Sequence, residues 1–395
     1  MAEKSRYSAL LSDRPMPKRR FRRRFFVASV PTFLDVSPRY SKTGKTVHTG
    51  YMDSFPRITV VVPIRNEERF IAKTLDYLLG QDYPASHLEI LVIDGQSDDR
   101  TVEIVSAYAS SDNRVKLLPN PQRLSSAGRA LGVKHATGDV ITFIDGHTYI
   151  DNDQLLKSSV ELMLAKEVQV LSRPQFLETP ENDDFQQAVA LARESFLGHG
   201  LDSTIYTRED RSVDPTSSGA TYRREVFEVV GNFDPRFDAC EDVEFNHRVA
   251  KKGYRSYTSM RLAVYYYPRQ NLAGLFRQMV RYGIGRCRLA RRHPDTLGLS
   301  TLMPFLFVFG LPLIAFAGLF WKQAAGLAVL LASFYLLTVC TTSLILGLRS
   351  GWRIASKLPL IFAAIHIGLG YGFGVELAKS VAGRAVRIEP DGSGC

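Results

Sequence analysis

Beyond residue 300 the sequence stops reading like that of a water-soluble globule. Three apolar runs follow one another: Thr301 to Phe320, Ala324 to Leu348, and Leu358 to Ala378. Each reaches the roughly 20 residues that a helix needs to cross the hydrocarbon core of a bilayer. The first two contain no Asp, Glu, Lys or Arg, whereas the third holds His366 centrally and Glu376 near its end. Backbone polar groups in lipid must be bonded within their own segment, so such runs are expected as helices. Buried core helices are the alternative, but three such runs in succession are rare in soluble folds. A membrane domain with three transmembrane helices is therefore expected over residues 299–380, with a short tail at 381–395.

The part before residue 300 has the composition of a globular protein. The 395-residue chain carries a formal net charge of +10. Part of that excess sits near the N-terminus, where "PKRRFRRRFF" precedes "VASVPTFL". The apolar part there is short and broken by Pro31, which argues against a cleaved signal peptide. Residues 1–55 are expected to form a flexible basic arm that touches anionic lipid. Nothing downstream supports a nucleic-acid partner. The four cysteines, Cys240, Cys287, Cys340 and Cys395, show no metal or disulfide spacing, which fits a reducing compartment.

From residue 57 onward, strands alternate with helices. In "RITVVVPIRNEERFIAKTLDYLLGQDYP" a buried strand, Ile58 to Val62, meets Pro63. A helix follows with Phe70, Ile71, Leu75, Leu78 and Leu79 at helical spacing. "LEILVIDGQSDDRTVEIVSAYA" repeats the pattern. "VKLLP" reads as a strand, "SAGRALGVKHATG" as a helix ended by Gly138, and "DVITFID" as another strand. Such alternation predicts an α/β domain with a mostly parallel sheet. Ligands of such sheets sit beyond the carboxyl ends of the strands. Polar clusters fall at three of those ends: Pro63 to Glu68, Asp94 to Asp99, and Asp145 to His147. Neither the glycine fingerprint of a dinucleotide site nor a Gly-Lys-Ser/Thr phosphate loop is found.

Asp145, Gly146 and His147 pose a specific question. A neutral imidazole can ligate a divalent cation as a carboxylate does, and residues two apart across a tight glycine turn can face one ion. The alternative is a turn histidine with no ligand role.

"VVPIRNEE", "VIDGQSDDRT", "FIDGH", "GATYRREVFEVVGNFD", "CEDVEFNHR" and "QMVRYGIGR" occur in this order between Arg57 and Arg292. Together they resemble family 2 glycosyltransferases, the inverting, nucleotide-sugar-dependent group with the GT-A fold. Within it they resemble bacterial exopolysaccharide glucosyltransferases of the succinoglycan (ExoA-like) type. The resemblance implies a GT-A nucleotide-sugar-binding domain over residues 56–270, an amphipathic interfacial helix at 271–298, and then the transmembrane helices. Asp94 would accept the uracil imide hydrogen, while Asp98 and Asp99 better fit turn acids or helix caps. Pro63 and Glu67 would lie near the base or ribose. Arg129 would reach the diphosphate, or else be a solvated helix cation. Asp145 and His147 would hold Mn²⁺ or Mg²⁺, since some enzymes of this fold use Asp-x-His.

Asp242 would be the catalytic base, with Asp238 and Glu244 as competitors and Glu241 as a helix-start acid or acceptor contact. Ser218, Gly219 and Ala220 would line the sugar and acceptor side. Gln278, Arg281 and Tyr282 resemble Gln-x-x-Arg-Trp of processive synthases, with Tyr282 replacing Trp, and would hold acceptor and diphosphate. In the same stretch Leu272, Leu275, Phe276 and Met279 share one helix face, and Arg277, Arg281, Arg288 and Arg292 another, a pattern that suits an anionic membrane surface.

The implied function is a membrane-bound transferase in the inner membrane, multi-pass, with its catalytic domain cytoplasmic. It would move glucose from UDP-glucose to a lipid-linked saccharide in bacterial polysaccharide biosynthesis. A polyprenyl-phosphate glycosyltransferase and a processive synthase are alternatives. A membrane protein that only senses nucleotide sugars is the non-enzymatic alternative.

Overall fold

A computed structural model describes residues 55–179, 183–199, 203–384 and 386. The expected basic arm before Phe55, and the tail apart from 381–384 and Val386, lie outside the described residues. The strands are β1 (Ile58–Ile64), β2 (Leu88–Asp94), β3 (Val115–Pro119), β4 (Val140–Phe143), β5 (Val170–Ser172), β6 (Gln175–Leu177), β7 (Arg211–Val213), β8 (Gly219–Arg223), β9 (Ser256–Thr258) and β10 (Val264–Tyr266). The main sheet has the order β3-β2-β1-β4-β8-β5-β9-β7, and β10 pairs with β6 separately.

β1 pairs in parallel with both β2 and β4, with Ile58 opposite Leu88 on one side and Val140 on the other. The crossovers are α1 (Ile71–Leu79), α2 (Thr101–Ser111) and α3 (Ser125–His135). β1 and β2 read as continuous apolar runs because both sheet faces are covered. One face packs Val60, Val62, Leu75 and Val105, and the other Val61, Ile93, Ile141 and Tyr222. β8 then enters antiparallel to β4 and β5, so parallel pairing dominates only the first half. β1 runs two residues past the expected Val62, and α3 stops at His135, short of Gly138.

Further helices are α4 (Leu155–Ala165), α5 (Asp184–Glu194), α6 (Arg224–Val230) and α7 (Glu241–Lys251), with a one-turn helix at Phe196–His199. The amphipathic helix follows as α8 (Leu272–Arg292), capped by Asn271, whose side chain accepts from the Gly274 N–H. Then come α9 (Leu299–Ala317), α10 (Lys322–Ser350) and α11 (Leu358–Val381). Each of these last three segments is long and apolar enough to cross a membrane, with mean hydropathies of 2.1, 2.1 and, for the stretch Trp352–Val381, 1.7. A π-turn at Leu306–Gly310, following Pro304, interrupts α9. α9 and α10 join through a short turn around Phe320 and expose Leu313, Phe316, Trp321 and Phe334. So much exposed apolar surface marks a membrane-facing hairpin.

α8 and α11 differ from expectation. The apolar face of α8 is not offered to lipid: Leu275 and Met279 are buried against Ile361, Phe362 and Ile365 of α11. The two helices run side by side in the same direction, with Gly368 against Phe276, Gly372 against Val280, and Gly283 against Leu369. A Cβ at Gly283 would lie 2.1 Å from the Leu369 carbonyl oxygen, and one at Gly372 would lie 2.1 Å from that of Val280. Only glycine permits this backbone-to-backbone approach. Arg288, expected on a cationic face against an anionic membrane surface, is instead buried and donates from Nε to Glu376 at 2.9 Å. Helix periodicity cannot reveal this, because the acid that neutralises Arg288 lies 88 residues away.

α11 also meets the α/β domain at both of its ends. Just before it, Arg353 and Lys357 pair with Asp184 at 3.3 and 3.7 Å. Near its far end, Glu376 holds Arg288, which also pairs with Asp238.

Candidate active site

The carboxyl ends of β1, β2 and β4 open onto one cleft of about 2340 Å³. Pro63, Glu67, Asp145, His147, Glu241 and Asp242 all line it. Beyond them it passes Gln278, Arg281 and Tyr282. Residues as distant in sequence as Pro63 and Tyr282 thus share one space, because the sheet delivers its loops to one edge.

Asp145 and His147 occupy the turn after β4. His147 Nδ1 lies 2.8 Å from Glu67 Oε1. An ionised carboxylate only accepts, so Nδ1 carries the hydrogen, and in the neutral ring Nε2 keeps the lone pair. A carboxylate behind an imidazole is the usual support of a metal-ligating histidine. Glu67, expected at the base or ribose, is therefore found orienting His147. Burial alone would keep the imidazole neutral, but the bond to Glu67 and the Asp145 charge outweigh it, and the ring titrates above its ordinary value. Burial would raise the Asp145 carboxyl, yet Arg129 and His147 hold it below the usual carboxylate range.

Arg129 lines the cleft and is held by carboxylates rather than solvated. Its NH2 donates to Asp145 Oδ1 at 2.8 Å, its Nε lies 3.5 Å from Glu241 Oε1, and it stacks 5.3 Å over the Phe143 ring. Burial disfavours its charge, but the carboxylates of Asp145, Glu241 and Asp242 more than compensate. Arg129 thus ties Asp145 to the start of α7. Arg173, on the segment after β5, and Tyr266, at the end of β10, complete this layer. Arg173 donates to the Phe143 carbonyl at 2.7 Å and to Thr142 at 2.6 Å, and the Tyr266 hydroxyl donates to Asp145 Oδ2 at 3.2 Å. Neither residue carries a signal in the sequence.

Asp94 ends β2 as expected, but it is buried. Its carboxylate accepts from the Ser97 hydroxyl at 2.6 Å and the Ser97 N–H at 3.2 Å. Its neighbours Ile93 and Gly95 line the cleft. Asp99 acts as a cap, accepting from the Thr101 N–H at 2.9 Å.

Asp242 stands in the first turn of α7, exposed, and its Oδ1 accepts from the adjacent Val243 N–H at 2.9 Å. Its competitors are engaged. Glu244 is buried and bonded to Arg248 at 2.9 Å and His293 at 3.0 Å, and Asp238 pairs with Arg288. Burial pushes the Glu241 carboxyl up against the pull of Arg129. Among these acids, Asp242 is the one that faces the cleft without a cation bound to it.

Gly219 and Ala220 line the cleft, but Ser218 is buried with its hydroxyl turned inward and unbonded. A Cβ at Gly219 would fall 2.5 Å from Asn246 Oδ1. The small residue thus admits Asn246 of α7, which donates to the Gly219 carbonyl at 3.0 Å and accepts from Tyr222 at 2.7 Å. The close approach foreseen for a sugar is used to seat the helix that carries Asp242. From the other side Arg281 donates to the Asp238 carbonyl at 3.0 Å, and Gln278 donates to the Tyr282 hydroxyl at 3.2 Å. The Gln-x-x-Arg-Tyr stretch therefore braces the loop leading into Asp242.

The family model "Glycosyl transferase family 2" matches residues 59–231. The succinoglycan biosynthesis protein ExoA of Rhizobium meliloti (strain 1021) is 32% identical over 250 residues, covering 62% of this chain and 73% of the relative. The chain belongs to glycosyltransferase family 2. As a member of that family it is a nucleotide-sugar-dependent transferase. A second relative of this glycosyltransferase, from Methanococcus voltae, is 26% identical over 326 residues, covering 82% of this chain and 97% of the relative. That relative is the dolichyl N-acetyl-alpha-D-glucosaminyl phosphate 3-beta-D-2,3-diacetamido-2,3-dideoxy-beta-D-glucuronosyltransferase. The transferase also shares its fold with a mannosyltransferase of Pyrobaculum calidifontis, at a TM-score of 0.51 and 19% identity over 80% of this chain and 88% of that one.

Proposed function

We propose that this protein is a membrane-bound inverting transferase that moves a sugar, glucose from UDP-glucose in the first instance, onto a lipid-linked saccharide at the cytoplasmic face of the inner membrane. The observation that carries this reading is the cleft itself, in which an exposed Asp242, the Asp145–His147 pair and residues of the membrane helices line one continuous space. The Methanococcus voltae relative, named for a dolichyl-linked phosphate substrate, and the Rhizobium meliloti relative, named for succinoglycan biosynthesis, support a lipid-linked or polysaccharide acceptor. Tyr282 in place of Trp favours single transfer over processive synthesis.

Asp242 takes the proton of an acceptor hydroxyl while that oxygen attacks the anomeric carbon and the bond from that carbon to the diphosphate oxygen breaks. Glu241 is left to touch the acceptor, Gln278 and Arg281 to hold acceptor and diphosphate, and Asp94 with Pro63 to meet the nucleobase. The donor set of Asp145 and His147 Nε2 fits a divalent cation, Mn²⁺ in preference to Mg²⁺ because imidazole is the softer ligand. When bound, such an ion stabilises the charge of the departing diphosphate.

The test uses the full chain in nanodiscs with labelled UDP-glucose and a lipid extract from cells lacking the protein. Label is expected in an organic-extractable product, and Asp242→Asn is expected to abolish its formation while UDP still binds. UDP binding without transfer or hydrolysis from any nucleotide sugar would favour the sensor instead.

A further inference from the structure

The cleft does not stop at the transfer site. Past Tyr282 it first becomes cationic. Arg193 at the end of α5, His199 in the one-turn helix Phe196–His199, and Arg281 and Arg286 on α8 all line it. Among the described residues, no carboxylate is paired with these arginines. Arg193 is held by the hydroxyls of Tyr206 and Tyr282 and lies 5.8 Å over the Tyr282 ring. Farther on the cleft becomes apolar, walled by Pro304, Phe307 and Leu311 of α9, Leu331 and Phe334 of α10, and Ile365 of α11.

Resting on the reading of the protein as a transferase to a lipid-linked acceptor, we propose that Arg193, His199 and Arg286 bind the phosphate or diphosphate of a polyprenyl-linked acceptor, while the space between α9, α10 and α11 takes its hydrocarbon chain.

Charge and continuity support this assignment. Guanidinium groups with no acid paired to them among the described residues, gathered where a polar cleft becomes an apolar groove, match an amphiphile with an anionic head. Burial and the two neighbouring arginines push the His199 imidazole down to about 3, so it stays neutral and the site remains net cationic through Arg193 and Arg286. The groove and Asp242 line one space, so an occupant whose head lies at Arg193 and Arg286 shares that space with the base. A bulk phospholipid would offer that base no sugar hydroxyl. Tyr335 and His366 add a polar link inside the apolar wall: the Tyr335 hydroxyl lies 3.0 Å from His366 Nδ1, and His366 Nε2 donates to the Leu197 carbonyl at 2.9 Å. That link fixes the groove to the turn that carries His199. Polar side chains within a membrane segment are costly and mark sites of use.

The test measures binding of geranylgeranyl diphosphate, inorganic pyrophosphate and geranylgeraniol to the full chain in detergent, with UDP binding and UDP-sugar hydrolysis as separate readouts. The wild type should bind geranylgeranyl diphosphate more tightly than either fragment. Arg193→Gln with Arg286→Gln should weaken that binding about 100-fold, roughly tenfold for each charged hydrogen-bond donor removed, with UDP affinity retained. Leu331→Trp, which fills the groove, should weaken geranylgeranyl diphosphate but not pyrophosphate. Equal affinity for pyrophosphate and geranylgeranyl diphosphate would reduce the site to a free-phosphate pocket and overturn the proposal. So would equal competition by phosphatidylglycerol, or variants that bind like the wild type. Absence of UDP-sugar hydrolysis in the wild type would sink the transferase reading. Normal hydrolysis with unaltered prenyl binding in the variants would sink only the acceptor site.

Discussion

Glu376→Gln removes one charge from a buried ion pair and leaves the side chain's volume unchanged. Glu376 is 1% exposed and Arg288 10%, so neither group can rehydrate where it stands. Leaving one member of such a pair uncompensated costs about 3–5 kcal/mol. Arg288 keeps Asp238 as a partner, whose side chain is 42% exposed, so the lower end of that range, about 3 kcal/mol, is expected. The kinetic effect follows from what else Asp238 holds. Its carbonyl accepts from Arg281, and it stands four residues before Asp242. A shift on the order of 1 Å in a catalytic group costs roughly 10²-fold. The expected result is a lower unfolding temperature in detergent, a kcat reduced by about 10- to 100-fold, and a donor KM close to that of the wild type, because the β1 and β4 loops are untouched. Pairing Arg288→Met with Glu376→Leu should recover part of the stability, since an apolar pair replaces a buried ionic one at little cost, while Arg291, 3.7 Å from Glu376, loses its partner. It should not recover kcat, since Asp238 has then lost its brace. A Glu376→Gln protein with wild-type unfolding temperature and kcat would refute this coupling.

Asp242→Asn should lower transfer by roughly 10²–10⁴-fold with donor binding intact; wild-type turnover would move the base elsewhere. His147 titrates above its ordinary value of 6.5 because Glu67 and Asp145 outweigh burial, and protons compete with a metal for its ring. At limiting Mn²⁺, activity should therefore begin to fall while the pH is still above that value, excess ion should restore it, and His147→Asp should lose the dependence; an unchanged metal requirement in His147→Ala at two pH values would exclude the histidine as a ligand. Gly372→Leu should separate α8 from α11 and lower the unfolding temperature sharply, since even a Cβ there meets the Val280 carbonyl at 2.1 Å; a neutral thermal scan would contradict the packing. Because both ends of α11 meet the catalytic domain, a reporter fused after Cys395 should score on that domain's side, with α9 and α10 alone crossing, and the opposite result would restore three crossings.

The sequence alone determined the class of the molecule. Apolar runs of about 18 residues or more can be read without a structure because lipid imposes helix and length together. Alternating strands and helices announced the parallel core because each buried strand is a local pattern, and its polar C-terminal loop marks the cleft. The places of Asp145 and His147 after β4 and of Asp242 at the start of α7 were legible for the same reason, while the roles expected of them rested on the family resemblance.

What joins elements was decided only by the tertiary structure. Glu67 supports His147 across 80 residues, Arg129 bridges Asp145 to Glu241 rather than facing solvent, and Gly219 makes room for Asn246. The amphipathic pattern of α8 announced an apolar face but not what covers it, and hydropathy does not reveal that α11 packs along that face. Periodicity reports how one helix distributes its side chains. Which partner neutralises Arg288, and on which side of the membrane α11 ends, depends on packing between segments that no local pattern encodes.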